Sequence, residues 1–259
     1  METSSIKTNY EQPVSSEEIK MKKVLAVPSK TFLRDLVEYH KDTEPELRRP
    51  LNFKKIKYIK KVAVPMKEYI ERINTNDTIE DDIVIGGSAA AWTQVWGVRK
   101  PKDLDLYTKK MYQLKKDVIA ILSRKYKNIS SRAIIIKRDG TRVIQVMINN
   151  KPVVDIKSHI KTGTSINIFD KDIFYDFKSM SPLRIGNIFY VPVNELLVRK
   201  AQGINRYHYE KIERGEPPGD RVKKDLDDFF TISRSLDRSK GKKKKQSSGL
   251  TGLGTEAFF

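Results

Sequence analysis

Asp103 and Asp105 are separated by one apolar residue in the run Asp103-Leu104-Asp105-Leu106-Tyr107. Strict alternation of acid and apolar residues predicts a half-buried strand. Successive side chains point to opposite faces, so the two aspartates share one face and Leu104 and Leu106 point into the core. Two steps along a strand is about 6.5–7 Å. Two carboxylates that far apart repel by roughly 2 kcal/mol at an effective dielectric of about 20. Oxygen ligands at this spacing suit hard divalent cations such as Mg²⁺.

Upstream, the apolar run Ile83-Val84-Ile85 stops at Gly86-Gly87-Ser88. Glycines at a strand end let the backbone turn sharply and approach a ligand closely. A helix starting at such a turn aims free N–H groups and a positive dipole end at any phosphate placed there. Ser88 adds a hydroxyl. The stretch thus pairs a phosphate cradle with an acidic strand, one short helix apart.

Gly86-Gly87-Ser88 followed by Asp103-x-Asp105 between apolar residues resembles the nucleotidyltransferase superfamily, which contains DNA polymerase beta, poly(A) polymerases and aminoglycoside nucleotidyltransferases. The resemblance implies a third acid on a neighbouring strand, and Asp155 within Lys151-Pro-Val-Val-Asp-Ile-Lys157 fits. Asn194-Glu-Leu-Leu-Val-Arg-Lys200 and Arg221-Val-Lys-Lys-Asp-Leu-Asp-Asp-Phe229 resemble the "LL..K … R..KD..D" helices of the abortive-infection-toxin branch and its minimal relatives. The similarity spans about residues 80–236. It implies Asp103, Asp105 and Asp155 as catalytic residues and ligands of Mg²⁺ or Mn²⁺. It also implies an NTP held by Gly86, Gly87, Ser88, Lys200 and Lys224, with transfer of an NMP to an acceptor hydroxyl. For Lys224-Asp225 the plainer reading is a surface ion pair, and Lys200 divides in the same way.

The resemblance implies, as the frame that positions these residues, an α+β fold with a mixed nucleotidyltransferase-type sheet and flanking helices. Ala89–Trp96 is the expected short helix, with Trp92 and Trp96 packed on the sheet. Met111, Leu114, Val118, Ile121 and Leu122 mark one stripe of an amphipathic helix over 111–126. Arg132–Arg138 and Arg142–Ile148 read as strands joined at Asp139-Gly140, a strong hairpin signal. Asn149-Asn150 then turns the chain into Pro152–Lys157, where Val153, Asp155 and Lys157 share a face. His159, just beyond, reads as structural. The segment 166–177 reads as pocket edge or plain core, and Leu183–Val191 as a strand or hairpin turning at Gly186-Asn187.

Around this core, at 79–192, the expected divisions are an N-terminal helical, basic extension at 1–78, a C-terminal helical segment at 193–238, and a disordered basic tail at 239–259. Ser15-Ser-Glu-Glu18 is a capping box. Phe32, Leu33, Leu36 and Val37 recur at helical spacing, and Pro65 suits a first helical turn. Asn194 and Asp220 are expected helix caps, with Gly203–Gly219 as the loop between. Val222, Leu226, Phe229 and Phe230 form the inner stripe of the last helix. The final Phe258-Phe259 reads as an unstructured end or a docking point.

The chain has 259 residues, no cysteine, three histidines and a formal net charge of +18. Disulfides, thiolate nucleophiles and cysteine zinc sites are excluded. No apolar run reaches membrane-spanning length, and residues 1–12 lack a secretory hydrophobic centre. The expected location is cytoplasmic or nucleoplasmic, or within a virion. The charge favours a polyanionic partner, RNA before DNA, and disfavours cationic aminoglycosides as substrates. It also suits a subunit of a larger assembly joined through the basic tail. Positive charge concentrates in Arg48, Arg49, Lys54, Lys55, Lys57, Lys60 and Lys61, interleaved with Phe53, Ile56, Tyr58 and Ile59. That pattern reads either as a nucleic-acid surface or as an amphipathic element packed on the domain. Arg99-Lys100-Pro101-Lys102 reads as a phosphate contact or as a balance for the acids. The alternative to an enzyme is a catalytically silent scaffold of the same fold that binds nucleic acid.

Overall fold

A computed structural model describes residues 27–40, 43, 46–75, 83–135, 142–158, 164–168, 171–175 and 182–249. The Ser15–Glu18 capping box, the Asp139-Gly140 turn, His159, Phe177 and residues 250–259 lie outside them. The fold is α+β, built on a seven-stranded mixed sheet. In chain order the elements begin with α1 (Lys30–His40), two short 3₁₀ turns (Phe53–Lys55 and Lys60–Val62) and α2 (Ala63–Ile73). The sheet then starts with β1 (Val84–Ile85), followed by α3 (Gly87–Gln94), β2 (Leu104–Tyr107) and α4 (Met111–Ser123). Next come β3 (Ile129–Ile135), β4 (Arg142–Ile148) and β5 (Lys151–Lys157). A separate two-stranded ribbon, β6 (Thr164–Ile168) and β7 (Lys171–Tyr175), precedes β8 (Leu183–Ile185) and β9 (Ile188–Tyr190). The chain closes with α5 (Val193–Ile204), a π-helical turn (Asn205–Tyr209), α6 (Glu210–Glu213) and α7 (Arg221–Gly249).

The strand order is β3-β4-β5-β2-β1-β9-β8. β2 pairs with β5 in parallel, and so does β1 with β9; the other neighbours are antiparallel. This arrangement follows from the sequence pattern. Between β4 and β5 the chain turns tightly at Asn149 and Asn150, which both adopt positive φ, a conformation asparagine tolerates best among non-glycine residues. Joining β2 to β5 in parallel needs a crossover, and α4 with β3 and β4 provides it. The expected stripe of α4 (Met111, Leu114, Val118, Ile121 and Leu122) is buried throughout, against β3, β4 and β5. On the other side of β2, α3 packs on β2 and on α5, and α5 packs on α7 and α1.

Several elements depart from the sequence-based expectation. α3 begins at Gly87 and ends at Gln94, where Val95 is extended. Trp96 therefore lies beyond the helix, loses its helical relation to Trp92 and is 58% exposed, while Trp92 packs against the core. Asn194 does not cap α5: Pro192 holds that position. Asn194 instead lies buried in the first turn and donates to the Thr43 carbonyl. Residues 203–213 are helical, not a loop, because α5 runs through the π-turn into α6. α7 continues through Gly249, past the loss of apolar periodicity at Ser239; lysine and glutamine are good helix formers and sustain a helix without a core-facing stripe. Among the described residues no helix is long and apolar enough to cross a membrane.

Asn74 ties the sheet to the N-terminal helices. It is buried at the end of α2, donates to the carbonyls of Ile83 (3.0 Å) and Asn187 (2.9 Å), and accepts from the Ile83 N–H (2.8 Å). One side chain thus fixes the approach to β1 and the β8–β9 turn. Asn74→Ala leaves these backbone groups without their partner and is expected to cost about 2–4 kcal/mol. Urea denaturation should show a lower midpoint with an unchanged slope.

Candidate active site

β2 and β5 are in register with Asp105 opposite Asp155 and Tyr107 opposite Lys157. Alternation puts all four side chains on one face of the sheet. Asp103 lies in the bend immediately before β2. The strand register therefore brings Asp105 and Asp155 to one surface, opposite the buried Leu104, Leu106, Val154 and Ile156.

The glycine turn closes over this face. The Gly86 N–H donates to the Asp105 carbonyl at 2.9 Å. A Cβ on Gly87 would stand 1.7 Å from Asp105 Oδ2, and one on Gly86 would stand 2.2 Å from the Tyr107 ring. Gly87 also has φ +56°. Here glycine is required twice over, by its backbone and by the Asp105 carboxylate against it. Ser88 is buried in the first turn of α3.

Lys157 forms an ion pair with Asp105. Burial would raise the Asp105 carboxyl, but the Lys157 ammonium, with help from Lys200 and Arg221, holds it below its usual range. Lys157 is itself raised above the usual lysine value, because Asp105, Tyr107 and Asp155 outweigh the cost of its burial. Asp155 goes the other way. Burial raises it, the negative charge of Asp105 raises it further, and Asp103 adds to the same effect. Gln145 on β4 donates to Asp155 Oδ1 at 3.1 Å.

A belt of cations borders the acids. On α5 and α7, Lys200 bridges Asp225 (2.9 Å) and Asp228 (2.6 Å), while Arg221 pairs with Asp225 (3.2 Å) and Arg99 with Asp228 (3.2 Å). Gly203 lets Asp225 approach, since a Cβ there would be 2.7 Å from its Oδ2. Lys224 is exposed, and its pKa is lowered by desolvation and then by Arg99, Lys200 and Arg221, with Asp103 opposing. It is a cation among cations, beside the acidic face. Arg199, held by Glu195, lies over the Tyr107 ring at 4.6 Å.

The basic segment combines both sequence readings. Phe53, Ile56 and Ile59 are buried in the core, and Lys54, Lys55, Lys57, Lys60 and Lys61 are exposed. The Arg48 and Arg49 N–H groups donate to the Thr93 carbonyl at the end of α3.

A cluster of three metal-ligating aspartates was the expectation. Among the described residues no group of three or more histidine, aspartate or glutamate side chains is gathered to hold a metal ion. The physical reason is that Asp105 is turned to Lys157 and Asp155 to Gln145. In kind the donors still fit a hard divalent cation: the Asp105 and Asp155 carboxylates share a face, and carboxylate oxygens are the ligands such an ion takes. Lys157 and Gln145 had no role assigned from sequence. The signal for Lys157 was its place two residues after Asp155, on the same face of the strand. Gln145 carried no signal, because its place depends on cross-strand register. Arg221, at the start of the "R..KD..D" run, was equally legible.

No protein-family model matches this chain. No curated protein matches it either. Among solved structures it is similar to the Megavirus polyadenylate synthase, with 13% identity and a TM-score of 0.43, over 90% of this chain and 40% of that one. The chain thus spans about 40% of the length of that structure.

Removing the Lys157 charge tests the electrostatics of the face. Asp105 has a depressed pKa, so its contribution to stability is present above the ordinary carboxylate range and lost as pH falls through its folded value. In Lys157→Met, Asp105 keeps its burial and its neighbour Asp155 but loses its counter-ion. Its pKa then rises, and the variant recovers stability as pH falls. A loss of about 3 kcal/mol is expected near pH 8 and a clearly smaller one at about pH 5. Equal losses at both pH values in urea denaturation would show that packing, not charge, was removed.

Proposed function

We propose that the chain is a metal-dependent nucleotidyltransferase that moves an NMP from an NTP to an acceptor hydroxyl on a nucleic acid, RNA before DNA. The observation that carries this reading is the register of Asp105 with Asp155 beneath the Gly86-Gly87 turn. In sequence the helices carrying Lys200 and Lys224 resemble those of the abortive-infection-toxin and minimal branch of the superfamily. Asp103, Asp105 and Asp155 would hold Mg²⁺ or Mn²⁺, which supplies charge neutralisation at the phosphates and a more acidic acceptor hydroxyl.

The chain's own groups do the rest. With the Gly86 N–H engaged by the Asp105 carbonyl, the N–H groups of Gly87 and Ser88 at the start of α3 are the ones aimed at the triphosphate. Lys224, crowded by Arg99, Lys200 and Arg221, gains from any anion placed beside it. Lys200 acts at one remove, holding Asp225 and Asp228 so that α5 and α7 keep their cations facing the acids. Asp155, beside the acceptor in this reading, is the carboxylate placed to take the proton of its hydroxyl. The exposed lysines of the segment 48–61 bind the phosphates of the acceptor.

A second reading is favoured by the Lys157–Asp105 ion pair. With Lys157 in the counter-charge position beside Asp105, the fold would serve as a catalytically silent, nucleic-acid-binding scaffold, a subunit of a larger assembly. Calorimetry separates the two: heat on adding NTP with Mg²⁺ supports the enzyme, and nucleic-acid binding without it supports the scaffold.

The direct test offers each α-labelled NTP with Mg²⁺ or Mn²⁺ and total cellular RNA. Label is expected in the RNA fraction, falling at least about a hundredfold in Asp103→Ala. Undiminished incorporation by that variant would remove Asp103 from the mechanism.

A further inference from the structure

Trp96 is 58% exposed, and a lone exposed aromatic needs no explanation by itself. Its surroundings are what set it apart. The Arg49 guanidinium carbon lies 4.3 Å from the centroid of the Trp96 ring and 3.5 Å from that of Trp92. Arg49 is held there by its own donors, Nε to the Trp92 carbonyl (2.6 Å) and Nη2 to the Val95 carbonyl (3.4 Å). Lys55 adds a second cation over Trp92 at 5.9 Å. The result is an open ring, backed by a fixed cation, at the rim of the basic segment.

That segment leads to the acids. At one end Arg48 and Arg49 are pinned to the Thr93 carbonyl. Farther along, the Lys57 N–H donates to the Pro101 carbonyl (3.4 Å) and the Tyr58 N–H to that of Lys102 (3.0 Å), the residue before Asp103. A chain of phosphates following the exposed Lys54, Lys55 and Lys57 would run from Trp96 toward Asp103.

We propose that Trp96, with Arg49 stacked against it, is a base-stacking platform for single-stranded nucleic acid, positioning the acceptor strand for the site. This rests on the reading of the acceptor as a nucleic acid. A single strand is the occupant that fits, because an aromatic ring needs a free base face, whereas bases inside a duplex are stacked on one another. The lysines supply the salt-sensitive, sequence-independent part of the affinity.

Both tryptophans of the chain stand at this place, so intrinsic emission reports on it. The full-length protein is titrated, without NTP or metal, with labelled single-stranded RNA and DNA of about twelve nucleotides, and with the corresponding duplexes. Single strands of either kind are expected to quench the emission. By anisotropy, Trp96→Ala should weaken single-strand binding about tenfold, with most of the loss restored in Trp96→Phe and none seen in Tyr112→Ala, a control at another exposed ring. Duplex affinity should be unmoved by Trp96→Ala. Wild-type affinity of Trp96→Ala for single strands, or an equal loss for duplex, overturns the proposal. Absence of nucleotidyl transfer with Trp96-dependent strand binding intact would sink the enzymatic reading and leave the platform standing. Active transfer with Trp96-independent binding would do the reverse.

Discussion

The pairing of Asp105 with Asp155 across two parallel strands is the constraint around which the molecule is arranged. Register places two carboxylates side by side, and sheet alternation offers neither a way off the face. Everything nearby answers that crowding. Lys157 neutralises one acid and Gln145 donates to the other, while burial first and the Asp105 charge second move the Asp155 carboxyl upward. The glycine turn is shaped by the same pair, since Asp105 occupies the space a side chain on Gly87 would need.

The cationic belt on α5 and α7 is a second balance, set beside the first. Asp225 and Asp228 are buried and between them engage Lys200, Arg221 and Arg99. Breaking a buried pair is costly because it strands a charge, so the belt is held rigidly. Lys224 is left next to it as the cation with like-charged neighbours. Acidic and basic groups are thus sorted into adjacent zones, an arrangement suited to a ligand that is itself an anion.

Much of this was legible where a short-range rule decides. The α4 stripe, the inward side of β2 at Leu104 and Leu106, and the Gly186-Asn187 turn follow from periods of 3.6 and 2 and from turn chemistry. So did the apolar side of the basic segment, where Phe53, Ile56 and Ile59 are buried. Trp96 misled because helical spacing was carried past the point where Val95 extends. The π-turn at 205–209 was hidden because Gly203 reads as a breaker, although it serves the close approach of Asp225. The Lys157–Asp105 contact needed the register of β5 on β2, which no local pattern in either strand specifies.

The parallel junction of β2 and β5 also bears on the order in which the molecule assembles. Asp105 and Lys157 are 52 positions apart in the chain, and long-range pairing of this kind is slow to form because a large loop must close first. Until that closure each acid remains hydrated and separate, at no electrostatic cost. Repulsion and its lysine remedy therefore arise together, at the moment β5 docks on β2.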